Sequence, residues 1–203
     1  MTTISTLPAL EALYGEAGEA SIVKETDRIV PVYRAFIEAS PFAALATRGP
    51  EGLDCSPRGD GPGFIRVQDE KTLLLPDRRG NNRIDSLRNI VRDPQVALLF
   101  LIPGIGETLR VNGRAVISVE PSLLASFAVD GKAPKSVLVI TVDSVFFQCS
   151  RAIVRADLWN PDKHLSRKAV PSAGEMIAAL SQDRLGGEAY DRALPERVKT
   201  TLY

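Results

Sequence analysis

The sequence is poor in the residues that build metal sites and disulfide frameworks. Its 203 residues include one histidine, two cysteines and one tryptophan. A single histidine excludes a multi-histidine metal site, and we expect no metal. A Ser-His-Asp triad would have to use His164, which lies in the polar, loop-like segment NPDKHLSRK. Cys55 and Cys149 form no CxxC motif, which favours a reduced compartment.

The chain also lacks net charge and long apolar runs. Its 25 basic residues balance its 25 acidic residues, so composition gives no support to a nucleic-acid or membrane-surface partner. No apolar stretch reaches the roughly 18 residues that span a bilayer. The first twenty residues contain glutamates and no apolar signal-peptide core. We therefore expect a cytoplasmic protein, with no nucleic-acid or membrane partner.

The residue pattern predicts one domain with two extensions. Residues 1–24 form an acidic, Ala/Gly-rich N-terminal extension, residues 25–160 form the core domain, and residues 161–203 form a C-terminal, helical extension of the same domain. Within the core, FAALATR and LDCSPRG predict a hairpin, and five further apolar or β-branched runs follow. Six or seven strands with few helices between them predict an antiparallel sheet closed into a barrel. A plain β-sandwich remains the alternative.

The segment PDRRGNNRIDSLRNI, residues 76–90, concentrates positive charge in a chain that has none overall. Five arginines stand against two aspartates between Asp77 and Arg92. Apolar periodicity predicts a helix at about 83–92, with Asn82 and Arg83 at its start. Unpaired N–H groups at a helix N-terminus and the bidentate geometry of arginine both suit a phosphate. A solvated basic loop would also account for this composition.

A second segment, CSPRGDGPGFIRV, is rich in glycine and charge. Its glycines would let the backbone approach a flat ligand closely. Arg58 could then place a cation near the electron-rich edge of a ring system, and Asp60 could hydrogen-bond a polyol. The alternative is a β-bulge followed by a tight turn, which needs no ligand.

Two more segments could furnish pocket walls. In ETLRVNGRA, polar residues that include Thr108 alternate along one face of a predicted strand, as on an ordinary exposed sheet or a polar pocket wall. In SRAIVRADLW, a helix at 150–159 would place Arg151, Arg155 and Trp159 on one face. A lone tryptophan is usually a core residue, but beside two arginines it could form a flat wall for an aromatic ligand.

Together the four segments resemble the pyridoxamine 5′-phosphate oxidase-like flavoproteins, the FMN-binding split-barrel superfamily. The similarity is greatest to a bacterial subgroup of FMN-dependent enzymes. The elements that carry it are SPRGD at 56–60, PDRRGNNRIDSLRNI at 76–90, DPQVALLFLIPGIGETLRVNGRA at 93–115 and CSRAIVRADLW at 149–159. They occur in the order typical of that subgroup and cover roughly residues 25–160.

The resemblance implies a mainly β fold, a six-stranded antiparallel split barrel with peripheral helices. It also implies a homodimer with two FMN sites at the interface, each built from both chains. Within each site it assigns the FMN phosphate to Arg78, Asn82 and Arg83. Contacts to the flavin ring and ribityl chain fall on Ser56, Arg58, Asp60, Pro76 and Asp77, and Thr108 matches a flavin-contacting position. Arg151, Arg155 and Trp159 match C-terminal contacts that the partner chain could supply.

The functional expectation is an FMN-dependent oxidoreductase whose substrate the sequence does not specify. The segment from Pro161 to Tyr203 lacks the arginine and histidine pattern with which pyridoxamine phosphate oxidases recognise their substrate. The resemblance therefore does not extend to oxidation of vitamin B6. Two alternatives remain open, a non-catalytic protein that stores or senses FMN and a split barrel that uses a deazaflavin. A haem protein is disfavoured by the single histidine. No catalytic side chain is assigned.

Overall fold

The structure is a computed structural model that describes residues 2–203. Within that range the chain forms seven strands and eight α-helices, with two short 3-10 turns between α6 and α7. The strands are β1 (Phe42–Gly49), β2 (Gly52–Gly59), β3 (Arg66–Asp69), β4 (Thr72–Pro76), β5 (Gln95–Leu101), β6 (Thr108–Ser118) and β7 (Val137–Gln148). The helices are α1 (Leu7–Tyr14), α2 (Glu19–Ile22), α3 (Pro31–Ala39), α4 (Asp85–Arg92), α5 (Pro121–Ser126), α6 (Arg151–Ala156), α7 (Ala173–Ser181) and α8 (Gly187–Thr200).

The strands form one antiparallel sheet in the order β2-β1-β5-β6-β7-β4-β3. The two edge strands, β2 and β3, do not pair with each other, so the barrel is split rather than closed. This confirms the predicted fold class, a mainly β split barrel with peripheral helices. The sheet has seven strands, within the six or seven that the residue pattern predicts. It has one more than the resemblance implies, because the four-residue strand β3 adds a short edge next to β4.

The core forms where the strands direct alternate residues inward. In β1 and β5 the inward residues include Leu45, Leu98 and Phe100, all almost fully buried. Burying side chains of this size contributes about 1.5–3 kcal/mol each before entropy is counted. The helix α3 covers the core with Tyr33 and Ile37. The run VALLFLIP is continuously apolar, yet the outward residues of β5 are only half-buried.

The helix α4 follows β4 and packs across β1, β2 and β6. Its buried side chain Ile90 joins the main core, and Asn89 donates a hydrogen bond to the Thr47 hydroxyl at 3.1 Å. These contacts fix the direction of α4, so its N-terminus lies beside β2 and the end of β4. The position of that N-terminus defines the site described below.

The C-terminal helices form a hairpin in which α7 packs on α8. Ser172 caps α7 with a capping box, and the Asp191 carboxylate of α8 accepts hydrogen bonds from the Ser172 hydroxyl and from the Gly174 amide. A Cβ on Gly174 would overlap the Gly187 carbonyl oxygen, so the two helices approach closely there. None of the helices formed by residues 2–203 has the length and apolarity needed to cross a bilayer.

Candidate functional site

A cavity of about 1130 Å³ opens between β2, the end of β4 and the start of α4. The loop that joins β4 to α4 forms one wall, residues 132–135 form a second, and Tyr203 enters from beyond α8. Its volume is slightly above the usual range for small-molecule and cofactor sites, about 300–1,000 Å³. Apolar surface comes from Phe64 and from several prolines.

Seven of the twelve residues predicted from the sequence line this cavity. They are Ser56, Arg58, Pro76, Asp77, Arg78, Asn82 and Arg83. Asp60 lies next to them, because its carboxylate accepts hydrogen bonds from Arg78 and Tyr203. The fold thus brings together two sequence motifs that lie on different strands, 56–60 on β2 and 76–83 after β4.

The cavity lining is positively charged. It contains six basic side chains and three acidic ones. The basic residues are Arg58, Arg78, Arg79, Arg83, Lys132 and Lys135, and the acidic ones are Asp54, Asp77 and Asp85. Since the whole chain is neutral, this surplus concentrates positive potential in a concave site, which favours an anionic ligand.

The helix α4 begins two residues later than the sequence predicts. Asn82 and Ile84 have left-handed backbone angles, with φ of 62° and 57°, and a right-handed helix cannot extend back through them. A β-branched residue in this region is strained by roughly 1–3 kcal/mol. Arg83 is therefore in the loop before the helix, and its Nε donates to Asp85 at 2.8 Å.

The start of α4 has no side-chain cap. The first N–H groups of a helix have no intrahelical partners, and the helix dipole gives them a partial positive charge. The Arg83 side chain is three-quarters exposed at this point of the lining. An exposed pair such as Arg83 and Asp85 contributes little to stability, so an anion could replace the carboxylate at small cost.

A buried polar link holds the two sides of the cavity at a fixed separation. The buried Ser86 in the first turn of α4 donates to the Asp54 carboxylate of β2 at 2.8 Å. Ser56, two residues along β2, donates to the same carboxylate oxygen at 3.1 Å. Neither Asp54 nor Ser86 was predicted as a site residue, because their pairing joins positions 32 residues apart and leaves no local pattern.

Arg58 and Asp77 face the cavity from β2 and from the residue after β4. Burial lowers the pKa of the Arg58 guanidinium, although Asp77 and Asp54 act in the opposite direction. Burial likewise raises the pKa of the Asp77 carboxyl, against the influence of Arg58 and Lys135. Among residues 2–203, no carboxylate oxygen lies within 4 Å of the Arg58 guanidinium. Arg58 is therefore a half-buried cation that can meet a ligand directly.

Arg78 is held by protein groups. Its Nε donates to Asp60 at 2.8 Å, and its Nη1 donates to the Phe127 carbonyl oxygen at 2.7 Å. The Tyr203 hydroxyl donates to the other Asp60 oxygen at 2.6 Å. Burial raises the pKa of Asp60, but hydrogen bonds from Tyr203, the Gly61 amide and Arg78 outweigh it, and the net shift is downward. Nη2 of Arg78 and the second N–H of its Nη1 are left for a bound anion.

The remaining four predicted residues are not part of this cavity lining. Thr108 pairs with Gln148 at the C-terminal end of β7. Pro76, which lines the cavity, pairs with Val137 at the opposite end of the same strand. The helix α6 stops at Ala156, because Asp157 is left-handed, so Trp159 does not continue the face of Arg151 and Arg155. The expectation of one helical face at 150–159 is therefore wrong. The Trp159 Nε1 donates to the Ile105 carbonyl oxygen at 2.7 Å instead.

Several solved structures are similar to this chain over somewhat more than half of its length. HupZ of Group A Streptococcus is 23% identical and covers 60% of this chain and 95% of its own, with a TM-score of 0.49. A Clostridium acetobutylicum protein related to general stress protein 26, of the pyridoxinephosphate oxidase family, is 14% identical with coverages of 57% and 84% and a TM-score of 0.45. An F420 reductase is 22% identical, with coverages of 59% and 98% and a TM-score of 0.42.

No curated protein sequence is significantly similar to the chain. The profile of the pyridoxamine 5′-phosphate oxidase family, by contrast, matches residues 29–149. That range starts just before α3, ends after β7, and includes both motifs that meet at the cavity. Since it spans more than half of the sequence, the chain belongs to the pyridoxamine 5′-phosphate oxidase family.

Proposed function

We propose that this protein binds FMN in the cavity between β2 and α4 and acts as an FMN-dependent oxidoreductase. The observation that carries the proposal is the meeting of an uncapped helix start with a surplus of basic side chains in one large concave site. Membership of the pyridoxamine 5′-phosphate oxidase family supports the choice of a flavin among anionic ligands.

The residues present fit the three parts of FMN. The phosphate would be held by Asn82, Arg83 and the free N–H groups of α4, with Nη2 of Arg78 adding a further donor. The ribityl hydroxyls would meet polar groups in β2 and just after it, among them Ser56 and Asp60. The flat ring would lie against Pro76 and the other apolar lining groups.

When bound, the flavin would supply the electron-transfer chemistry, and the protein would bind and orient it. Arg58 would place a fixed positive charge near the ring, since it is half-buried and has no carboxylate within 4 Å among the described residues. A preorganised cation in a partly desolvated site favours electron density on a nearby ligand. Asp77, whose pKa burial raises, would add a polar group from the residue after β4.

We also propose a homodimer in which the partner chain completes the site. Thr108, Arg151, Arg155 and Trp159 would be the residues supplied across the interface, because they lie outside the cavity lining of their own chain. The outer face of β5 is half-buried and apolar at Ala97, Leu99 and Leu101, and covering this face by a second chain would remove that surface from water.

The two cysteines are free and exposed, which suits a reducing, cytoplasmic setting.

The oligomeric state can be measured directly. Analytical ultracentrifugation of the purified protein is expected to give a dimer at micromolar concentration, with one FMN per chain. The variant Leu99→Glu, which introduces a charge on the apolar outer face of β5, should shift the equilibrium towards monomer and lower FMN occupancy at the same time. A monomer that retains FMN at full occupancy would contradict a shared site.

The absorption spectrum of the purified protein tests the cofactor. We expect a yellow protein with an oxidised flavin spectrum, or a colourless protein that acquires this spectrum when FMN is added. A deazaflavin spectrum, or failure to bind added FMN, would contradict the proposal. An assay with nicotinamide donors and a panel of acceptors then separates an enzyme from a non-catalytic FMN-storage or sensing protein.

A further inference from the structure

Tyr203 reaches the cavity from a distant part of the chain. Its hydroxyl donates to Asp60 over a separation of 143 residues, and its ring lies 5.5 Å from the Arg78 guanidinium. Asp60 and Arg78 form the most deeply placed ion pair among the described residues, with side-chain exposures of 9% and 17%. The phenol is therefore anchored to a largely buried ion pair at the cavity wall.

The segment that carries Tyr203 has its main packing elsewhere. The helix α8 buries none of its residues, and it packs chiefly on α7 through the Ser172, Gly174 and Asp191 contacts. After α8 the chain turns at Thr201, whose amide bonds to the Val198 carbonyl oxygen, and two residues later the phenol reaches the cavity. The hairpin of α7 and α8, which is little buried, is thus followed by the Tyr203 ring at the candidate cofactor site.

We propose that Tyr203 is a cofactor-positioning residue whose ring closes one side of the cavity and slows exchange of the bound flavin. The inference rests on the proposed function, because it identifies a wall of the same site. An aromatic ring beside a flat ligand gains contact area and stacking, and Tyr loses little side-chain entropy in doing so. The bond from the hydroxyl to Asp60 fixes the ring in place, and because that acceptor is charged the bond is stronger than a neutral one.

A residue in this role should affect dissociation more than folding. In Tyr203→Ala, which removes both ring and hydroxyl, we expect FMN to dissociate about tenfold faster or more, comparable to losing one charge-assisted hydrogen bond and a stacking contact. In Tyr203→Phe, which keeps the ring, the increase should be smaller, about threefold, because only the anchor to Asp60 is lost. Both variants should unfold within a few degrees of the wild type, since α8 buries none of its residues.

Tyr190 provides a matched control on the same hairpin. Its ring packs against the Arg197 guanidinium at 4.2 Å, and it is not part of the cavity lining. Tyr190→Ala and Tyr190→Phe should therefore leave the FMN dissociation rate unchanged. A structural role of the hairpin as a whole would instead make the Tyr190 and Tyr203 variants behave alike.

The measurement is the rate at which flavin fluorescence recovers after the FMN-loaded protein is diluted. Faster recovery in Tyr203→Ala, with an intermediate rate in Tyr203→Phe and a wild-type rate in the Tyr190 variants, supports the inference. Wild-type rates in both Tyr203 variants would overturn it while leaving FMN binding established. If the wild-type protein itself takes up no FMN, the proposed function fails, and this inference fails with it.

Discussion

Arg83→Ala is expected to weaken FMN binding by about tenfold to a hundredfold and to leave riboflavin binding almost unchanged, because only FMN carries the phosphate. In the wild-type protein, riboflavin should bind about a hundredfold more weakly than FMN, since it forgoes every charge-assisted contact at the start of α4. The effects of the substitution and of removing the phosphate on affinity should not add. In Arg83→Ala, the difference in affinity between FMN and riboflavin should be smaller than in the wild-type protein.

The structure explains why this effect should appear in binding and not in stability. Arg83 is largely exposed, and among residues 2–203 it pairs only with Asp85, an arrangement that contributes little to folding. It lies on the cavity lining beside the uncapped first turn of α4, where guanidinium and backbone N–H groups can converge on one anion. Titration of the apoprotein with FMN and with riboflavin, followed by flavin fluorescence, measures all four affinities.

Arg88 offers a control one turn along the same helix. It is exposed and is not part of the cavity lining, so Arg88→Ala should change FMN affinity by less than about twofold. The opposite result, with Arg88→Ala losing FMN and Arg83→Ala retaining it, would place the phosphate on a different part of α4. Equal affinity of the wild-type protein for FMN and riboflavin would mean that the site makes no favourable contact with the phosphate.

Sequence reasoning located this site because its two halves are local motifs. The residues at 56–60 and 76–83 carry their arginines and glycines within short segments, so their chemistry is visible without the fold. The start of α4 was misplaced by two residues, because apolar periodicity continues through Ile84, whereas its backbone is left-handed. β-branched residues rarely adopt this conformation, and a sequence pattern reports only such local preferences. The pattern therefore could not indicate the left-handed backbone at Ile84.

The groups that sequence reasoning missed depend on long-range contacts. Tyr203 meets Asp60 across 143 residues, and Ser86 meets Asp54 across 32. The sequence predicts a helical extension over 161–203 but does not locate α8 within it, because this segment is polar, starts at Gly187 and contains Pro195. Proline is normally unfavourable in a helix interior, so the bounds of α8 cannot be read from the pattern. Without α8, nothing could indicate that Tyr203 reaches the cavity.

Gly113→Ala is expected to destabilise the protein by about 3 kcal/mol, the upper end of the cost of forcing extra volume into a packed site. Gly113 is buried at a bulge where β6 shifts register against β7, at the centre of the sheet. A Cβ there would overlap the Thr141 carbonyl oxygen and lie 3.2 Å from the Ile140 side chain. Because the first obstacle is backbone, the neighbouring strand itself would have to move.

For a chain of this size, a loss of 3 kcal/mol lowers the melting temperature by about 6–12 °C. Gly59→Ala is the matched control, because Gly59 is also in a strand but an added Cβ there would make only ordinary contacts, the nearest at 3.5 Å. Its unfolding free energy should change by no more than about 0.5 kcal/mol. Thermal unfolding of the two variants measures the difference, and equal melting temperatures would mean that the bulge adjusts freely between β6 and β7. In that case a Cβ at position 113 would be accommodated without loss of stability, and the glycine would have no packing role.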